Sequence, residues 1–503
     1  MRVPILAGSR LTVVDAPPDG VVLRSEPPAE PITEVAAAVR EALRFPLAGR
    51  PLEVLARRGG RATVVVQPPE LPIPSAVRDP RQEALAATVS ELERLGVPTE
   101  SQTILVAGGL GRKAGSREVE ALVPYELARR FRGRLEIHDV TGPLVDLGAA
   151  GRVPLRANRA LVETDLVVVA TAAESVLDGG PGALVAAGGP EALRAASAYS
   201  LLETAASHGW RIGVELERAL AARVPLMGVS LALNPPAVTG AFQGYPHDLR
   251  ALDRIATSPV RIALRLLPGA VRSRLLGSIP RELTVSSVLA GPPSVAHVEA
   301  LLRAVESRAA RLDAPLDIAV VGIPATTPHL PRERPNPVLA AYLGLGLALR
   351  LWRDAFPVAD GGTAILVSPF DRRFPHPTQS PYRTFFNALR IVGSRGATEW
   401  RELAPAERAA AADERALDQY RSGRACHPLL PFLEWAGCLP AVERLGAVLV
   451  AGSRDAVAAR QFGFVPTRNL STALAMARAR AGGAPRVGFL VVPPYFPIRT
   501  VGR

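Results

Sequence analysis

The chain contains a single lysine, Lys113, and no histidine between His138 and His208. Its two cysteines, Cys426 and Cys438, are too few for a disulfide framework, and no CxxC spacing occurs. They read as reduced thiols in a cytosol, or as one incidental bridge. No run of 18 uninterrupted apolar residues is present, so no membrane span is expected. Met1 to Gly20 lacks an apolar stretch of signal length, and the expected compartment is the cytoplasm. Aromatic residues are scarce at 5%.

What is present describes a large globular protein. A chain of 503 residues exceeds one ordinary core, which implies two or three domains. Of 59 Lys and Arg residues one is lysine, so 58 arginines face 47 acidic residues and leave a net charge of +12. Such a surplus raises nucleic acid or small anions as partners. The arginines, however, are spread through amphipathic segments such as Arg78 to Arg94, among glutamates and with few interleaved aromatics. They read as solvated faces, and nucleic acid is not the expected partner.

Short apolar runs alternate with helical segments along most of the chain. Leu11–Val14 and Val21–Arg24 suggest a short hairpin, followed by a helix over Ile32–Arg44. Then come strand Ala62–Val66, helix Pro80–Leu95, strand Thr103–Ala107, helix Ser116–Phe131 and strand Leu135–Asp139. A hairpin-like stretch through Leu147 to Leu155, strand Leu166–Thr171 and a helix around Glu191–His208 complete the first half. Pro259 to Leu283 reads as a connector. A second rhythm follows: helix Val295–Leu312, strand Ile318–Gly322, helix Val338–Ala355, strand Thr363–Ser368, helix Glu407–Ser422, strand Ala447–Ala451, helix Leu470–Arg480 and strand Val487–Val492. The expectation is α/β: two doubly wound domains, 1–265 and 266–503, with mainly parallel sheets facing an interdomain cleft.

The first half carries an ordered set of signals. A strand from Gln102 runs into Gly108-Gly109-Leu110-Gly111-Arg112; Ile137-His138-Asp139 follows, then Leu147-Gly148, Pro154, Asn158 and Thr164-Asp165-Leu166. The turn Asp178-Gly179-Gly180-Pro181-Gly182 and the stretch Val229 to Asn234 come after. Together with Val64-Val65-Val66 feeding the loop Pro68 to Pro74, this order resembles the nickel-dependent lactate racemase family, whose members carry a nickel-pincer nucleotide. The resemblance implies a 2-hydroxy acid racemase or epimerase scaffold, an isomerase by family.

The chain departs from that family where the chemistry resides. The family's Gly-x-His-Arg loop keeps Arg112 but has Gly111 in place of histidine. The Pro-His-Phe segment has no counterpart in Thr171-Ala172-Ala173-Glu174-Ser175. The lysine that tethers the cofactor corresponds to Gly182, and Asn-His-Ser becomes Ala198-Tyr199-Ser200. Asp-Asp-x-Thr-Arg-Pro is replaced by Gln67-Pro68-Pro69-Glu70-Leu71-Pro72, and Ala341-Tyr342-Leu343-Gly344 lacks the family's Gln and Lys. Racemisation needs an acid or base on each face of the substrate carbon, and nickel needs imidazole or thiolate donors. Glycine and alanine offer neither, so no cofactor and no metal site are expected, and nickel-pincer racemisation is expected to be absent.

Two places could still bind a ligand. The amides of Gly179 and Gly180, before a helix, could cradle an anion alongside Arg112, although the same glycines also serve a tight turn. In the second half, the loops after two strands carry His329, Arg332 and Arg334, and Asp371, Arg372, Arg373 and His376. Arginine forks bind carboxylates, and a His–Asp pair moves protons near neutral pH. A relocated site with His329, His376 and Asp371 as its acid–base groups is one expectation, with a small anion or carboxylate as ligand. The alternative is a non-catalytic ligand-binding protein or partner subunit on the same scaffold.

Overall fold

The computed structural model describes residues 2–501 apart from 18–19, 73–78, 116–118, 121, 325–335 and 375. Two six-stranded sheets organise it. In the first, the strand order is Val285–Gly291, Leu226–Leu233, Leu166–Ala172, Ala62–Val66, Gln102–Val106 and Arg134–Ile137. All neighbours are parallel except the edge strand Val285–Gly291, which runs antiparallel to Leu226–Leu233. In the second sheet the order is Val465–Thr467, Ala447–Ala451, Val358–Val367, Leu316–Gly322, Val487–Leu490 and Val21–Leu23, parallel throughout. The expected α/β class with mainly parallel sheets is what the chain adopts.

The central strands explain themselves. Every residue of Ala62–Val66 and of Leu166–Ala172 is buried, as continuous apolar runs must be when helices cover both sheet faces. The helices start where the sequence supplies caps. Asp79 accepts a hydrogen bond from the Arg81 amide at 2.9 Å, with Pro80 at the first helical position of Pro80–Arg94. Ser207 does the same for His208–Ala221 through the Trp210 amide at 3.0 Å.

Several expected elements are corrected. The N-terminal hairpin is Arg2–Ala7 against Arg10–Asp15, whereas Val21–Leu23 leaves it to extend the second sheet beside Val487–Leu490. Each sheet therefore takes its edge strand from a distant part of the chain. The helix expected around Glu191–His208 is a short one, Pro190–Ala195, which stops at Ala196 in extended backbone; the next begins after the Ser207 cap. The connector contains two short helices, Val260–Leu266 and Gly269–Gly277. The helix expected over Val338–Ala355 is α-helical only over Pro337–Ala341, π-helical over Tyr342–Leu347, and over by Arg350. Gly344 and Gly346 give the reason: a Cβ on either would lie 2.5 Å from Leu366 or 2.4 Å from the Tyr342 ring, so this segment packs closer than a regular helix with side chains permits. Asp413 caps a new helix and divides the expected Glu407–Ser422 into Trp400–Ala411 and Glu414–Arg421. Of the helix expected over Ser116–Phe131, Tyr125–Arg130 is helical, and 116–118 and 121 lie outside the described residues.

Candidate functional site

The loops at the carboxyl ends of the first sheet are held by one another. Glu174, 4% exposed, follows strand Leu166–Ala172. Its Oε2 accepts the amides of Glu70 at 2.9 Å and Leu71 at 3.2 Å, and its Oε1 pairs with Arg81, which also binds Asp79 at 2.8 Å. This buried acid thereby fixes the loop after Ala62–Val66. Gln67 in the same loop accepts the Gly179 amide at 2.8 Å, and Thr171 Oγ1 accepts the Gly180 amide at 2.9 Å.

The glycine turn is shaped by what lies against it. Gly179 and Gly180 have φ of 91° and 50°, and a Cβ on them would meet the His297 ring and Cβ at 2.7 and 2.4 Å. His297 is fully buried and donates from Nε2 to the Ser175 carbonyl at 2.8 Å. Burial pulls its pKa down to about 4, against the opposing carbonyl bond, so it is neutral at pH 7. At Gly182 a Cβ would lie 2.2 Å from the Leu177 carbonyl oxygen. The backbone itself closes this position to any side chain.

Against these loops the second half presents Tyr342 from the π-helical turn, Arg350 just after it, and Glu434 from helix Leu430–Arg444. Arg350, 4% exposed, donates to the Gly346 carbonyl at 3.2 Å and to the Ala198 carbonyl, while its own carbonyl accepts the Leu201 amide at 2.8 Å. Four acids (Glu70, Glu174, Asp178 and Glu434) thus share a region with Arg81, Arg308 and Arg350. Burial raises Asp178 to about 6, with the Ser175 hydroxyl at 2.5 Å opposing and Glu174 adding to the rise. Burial, then the charges of Asp178, Glu174 and Glu434, push Glu70 well above the usual carboxylate range. Burial lifts Glu434 to about 8, although Tyr382 donates to it at 3.0 Å, and drops Arg308 to about 10. Such groups can hold or release protons near neutral pH.

Of the candidates read from sequence, Gly179 and Gly180 adjoin this cluster, directly after Asp178. His329, Arg332 and Arg334 lie outside the described residues. Arg372 pairs with Asp455 at 3.3 Å and Arg373 with Asp371 at 3.2 Å, while His376 bonds Thr378 Oγ1 at 3.0 Å and caps a short turn. Arg112 reaches the Gly423 carbonyl at 3.4 Å. The amides of Gly179 and Gly180 are occupied by Gln67 and Thr171. His138, 2% exposed, is held through Nε2 by the Gly188 carbonyl at 2.9 Å and through Nδ1 by Asn158 at 3.1 Å. Sequence reasoning missed Glu70, Glu174, Asp178 and Glu434 as a group. Glu174 had a usable signal, a carboxylate directly after a buried strand; Glu434, within a helix, had none.

Two mainly parallel sheets with long loops at their carboxyl ends define an α/β protein of the kind that places ligands at strand ends. Residues 9–175 match the family model of the lactate racemase N-terminal domain. The fold is similar to the lactate racemase apoprotein from Thermoanaerobacterium thermosaccharolyticum, with TM-score 0.60 and 15% identity over 99% of this chain and 100% of that one. A crystal structure of a Thermotoga maritima protein is more distant, at TM-score 0.49 and 13% identity over 94% and 100% of the two chains. Among curated proteins none matches. Among the described residues no helix is long and apolar enough to cross a membrane, and no three or more His, Cys, Asp or Glu side chains group as a metal site.

Proposed function

We propose that this chain is a lactate racemase-like scaffold that binds a small carboxylate between its two halves and does not perform nickel-pincer racemisation. The observation that carries the proposal is Gly182. At the place where the resemblance puts the cofactor-tethering lysine, a Cβ would stand 2.2 Å from a backbone oxygen, so the residues present do not fit a covalently held nucleotide. Lys113 offers no substitute, because its ammonium is committed to Asp139 at 2.5 Å and to the Arg421 carbonyl at 3.1 Å.

The reading is tested on the purified full-length chain by intact mass, nickel content and interconversion of D- and L-lactate. A mass equal to that of the sequence, no stoichiometric nickel and no interconversion is the expected result. A nucleotide adduct, or nickel at one per chain with racemisation, overturns it. A non-catalytic ligand-binding or partner-subunit role on the same scaffold is a second reading. It is favoured by the pairing of Arg372 and Arg373 with Asp455 and Asp371, which leaves the described part of the relocated cluster engaged with itself.

A further inference from the structure

The connector between the two halves is anchored at its ends and bare in its middle. Helix Leu249–Thr257 enters it with Leu252 in the core beside Val3 and Ile5, and strand Arg281–Glu282 leaves it paired to Ala237–Val238. Between them lie helices Val260–Leu266 and Gly269–Gly277, and no residue of the second is buried. Ile262 and Leu266 of the first helix are 60% and 82% exposed, and Val271 and Leu275 of the second 43% and 44%. The members of each pair stand one turn apart, so each pair forms an aliphatic stripe on one helix face. Side chains of this kind gain free energy when water leaves them, and a cluster of them on a surface marks an interaction site.

The charge of this stretch is of one sign. From Arg254 to Arg281 the sequence has six arginines and no aspartate or glutamate, whereas elsewhere arginines interleave with glutamates. Arg272 and Arg274 fall on the two flanks of the Val271–Leu275 stripe, as the helical period dictates. Among the described residues neither of them, nor Arg265, pairs with an acid. Arg272 instead donates to the carbonyls of Leu267 and, at 3.4 Å, of Arg265. Arginine stems can lie along an apolar surface while their guanidinium groups reach for anions beside it.

We infer that these two helices dock the protein on a membrane surface rich in anionic lipid. The aliphatic stripes enter the boundary between headgroups and acyl chains, and the flanking arginines meet the lipid phosphates. Charge complementarity selects this occupant. A second copy of the chain, using the same face in a two-fold pair, would set arginine against arginine. A folded acidic protein would need a hollow shaped to this ridge, whereas a lipid surface conforms to it. The helices lie on the surface and do not span it, since neither approaches the length of a membrane span.

The test is co-sedimentation of the full-length protein with vesicles of phosphatidylglycerol and phosphatidylcholine, and with vesicles of phosphatidylcholine alone. It is repeated on Leu266→Ser with Leu275→Ser, on Arg265→Gln with Arg274→Gln, and on Arg129→Gln with Arg130→Gln. The last pair is exposed on helix Tyr125–Arg130, away from the connector in sequence, and controls for the general positive charge. The wild type should bind the anionic vesicles alone, and less well at about 1 M salt. Both connector variants should weaken binding about tenfold or more at an unchanged urea midpoint, and the control should leave it intact. Because the two connector variants change different residues, the arginine pair decides the matter if the leucine pair fails to fold. No binding to anionic vesicles, binding unaffected in a folded connector variant, or an equal loss in the control overturns the inference. Binding to poly-glutamate as tight as to the vesicles would assign the face to an acidic protein instead. A lipid-free dimer that Leu266→Ser with Leu275→Ser converts to a monomer would assign it to a second copy, and either result overturns the lipid assignment.

Discussion

Lys113 and Asp139 are joined at 2.5 Å, and the same ammonium donates to the Arg421 carbonyl at 3.1 Å and lies 5.4 Å from the centre of the Tyr420 ring. The only lysine of the chain is therefore a bridge from the first half to helix Glu414–Arg421 of the second. Lys113→Met is expected to lower stability at pH 7 by about 1 kcal/mol, the scale of a partly buried ion pair. Burial works against ionisation of Asp139, but hydrogen bonds from Lys113 and Thr141 outweigh it and hold the carboxyl below its ordinary value. A depressed folded pKa gives stability that is complete above the unfolded value and lost as pH falls through the folded one. The gap between wild type and variant should close in strongly acid solution. Urea unfolding of both proteins at pH 7 and below pH 4 measures it, and a gap independent of pH would contradict the assignment.

Gly182→Ala separates a structural glycine from an incidental one. In an open helix the change would stabilise by up to about 1 kcal/mol. With the Leu177 carbonyl 2.2 Å from the new Cβ, the expected sign is opposite, a loss of about 1–3 kcal/mol. Denaturant midpoints decide it, and a neutral or stabilised variant would remove the steric argument against a tether.

Much of the scaffold was legible because its signals are local. The all-buried runs Ala62–Val66 and Leu166–Ala172, and Ala447–Ala451 with all but its first residue buried, mark themselves as parallel strands whatever surrounds them. Elements whose place depends on distant partners were not legible. Val21–Leu23 looks like a hairpin arm but pairs with Val487–Leu490, and Val285–Gly291 is a strand because Leu226–Leu233 lies beside it. The candidate site follows the same division. The disagreement of Gly182 with a lysine tether showed in the order of motifs, whereas the meeting of Glu70 and Asp178 with Glu434 depends on how the two halves pack. Helices Ser380–Gly396 and Leu430–Arg444 escaped notice; the second has Pro431 in its first turn, contains Pro440 and buries Phe432, Trp435 and Cys438, so its pattern is not that of a half-exposed helix.

Glu434→Gln tests the buried acids through pH. Burial raises Glu434 to about 8 from an ordinary 4.5, despite the bond from Tyr382. A carboxyl raised on folding leaves its proton more readily in the unfolded chain, so stability declines as pH climbs from 4.5 toward 8 and is level beyond. Glutamine keeps an acceptor for Tyr382 and removes the titration. The variant should therefore gain on the wild type steadily across that window, and chemical denaturation at pH 5, 6.5 and 8.5 reads the gain. Asp178 and Glu217, raised by burial to about 6 and about 7, contribute slopes of the same sign, so the informative quantity is the difference between the two proteins. Parallel curves would show that Glu434 does not hold a proton at neutral pH.

Glu174→Ala should release the loop that carries Glu70. The carboxylate receives two amides, from Glu70 at 2.9 Å and Leu71 at 3.2 Å, and balances Arg81, whose side chain is only 9% exposed. Removing it strands a buried guanidinium with Asp79 as its remaining partner and leaves both amides unsatisfied, a loss of about 3–5 kcal/mol by analogy with other broken buried pairs. Glu174→Gln keeps one acceptor oxygen and should lose less. Hydrogen exchange distinguishes loop release from general destabilisation. The amides of Glu70 and Leu71 should exchange faster by a larger factor than those of strand Ala62–Val66, which is paired on both sides to Gln102–Val106 and Leu166–Ala172. Uniform acceleration across the first sheet would mean that Glu174 supports the whole fold and not this loop in particular.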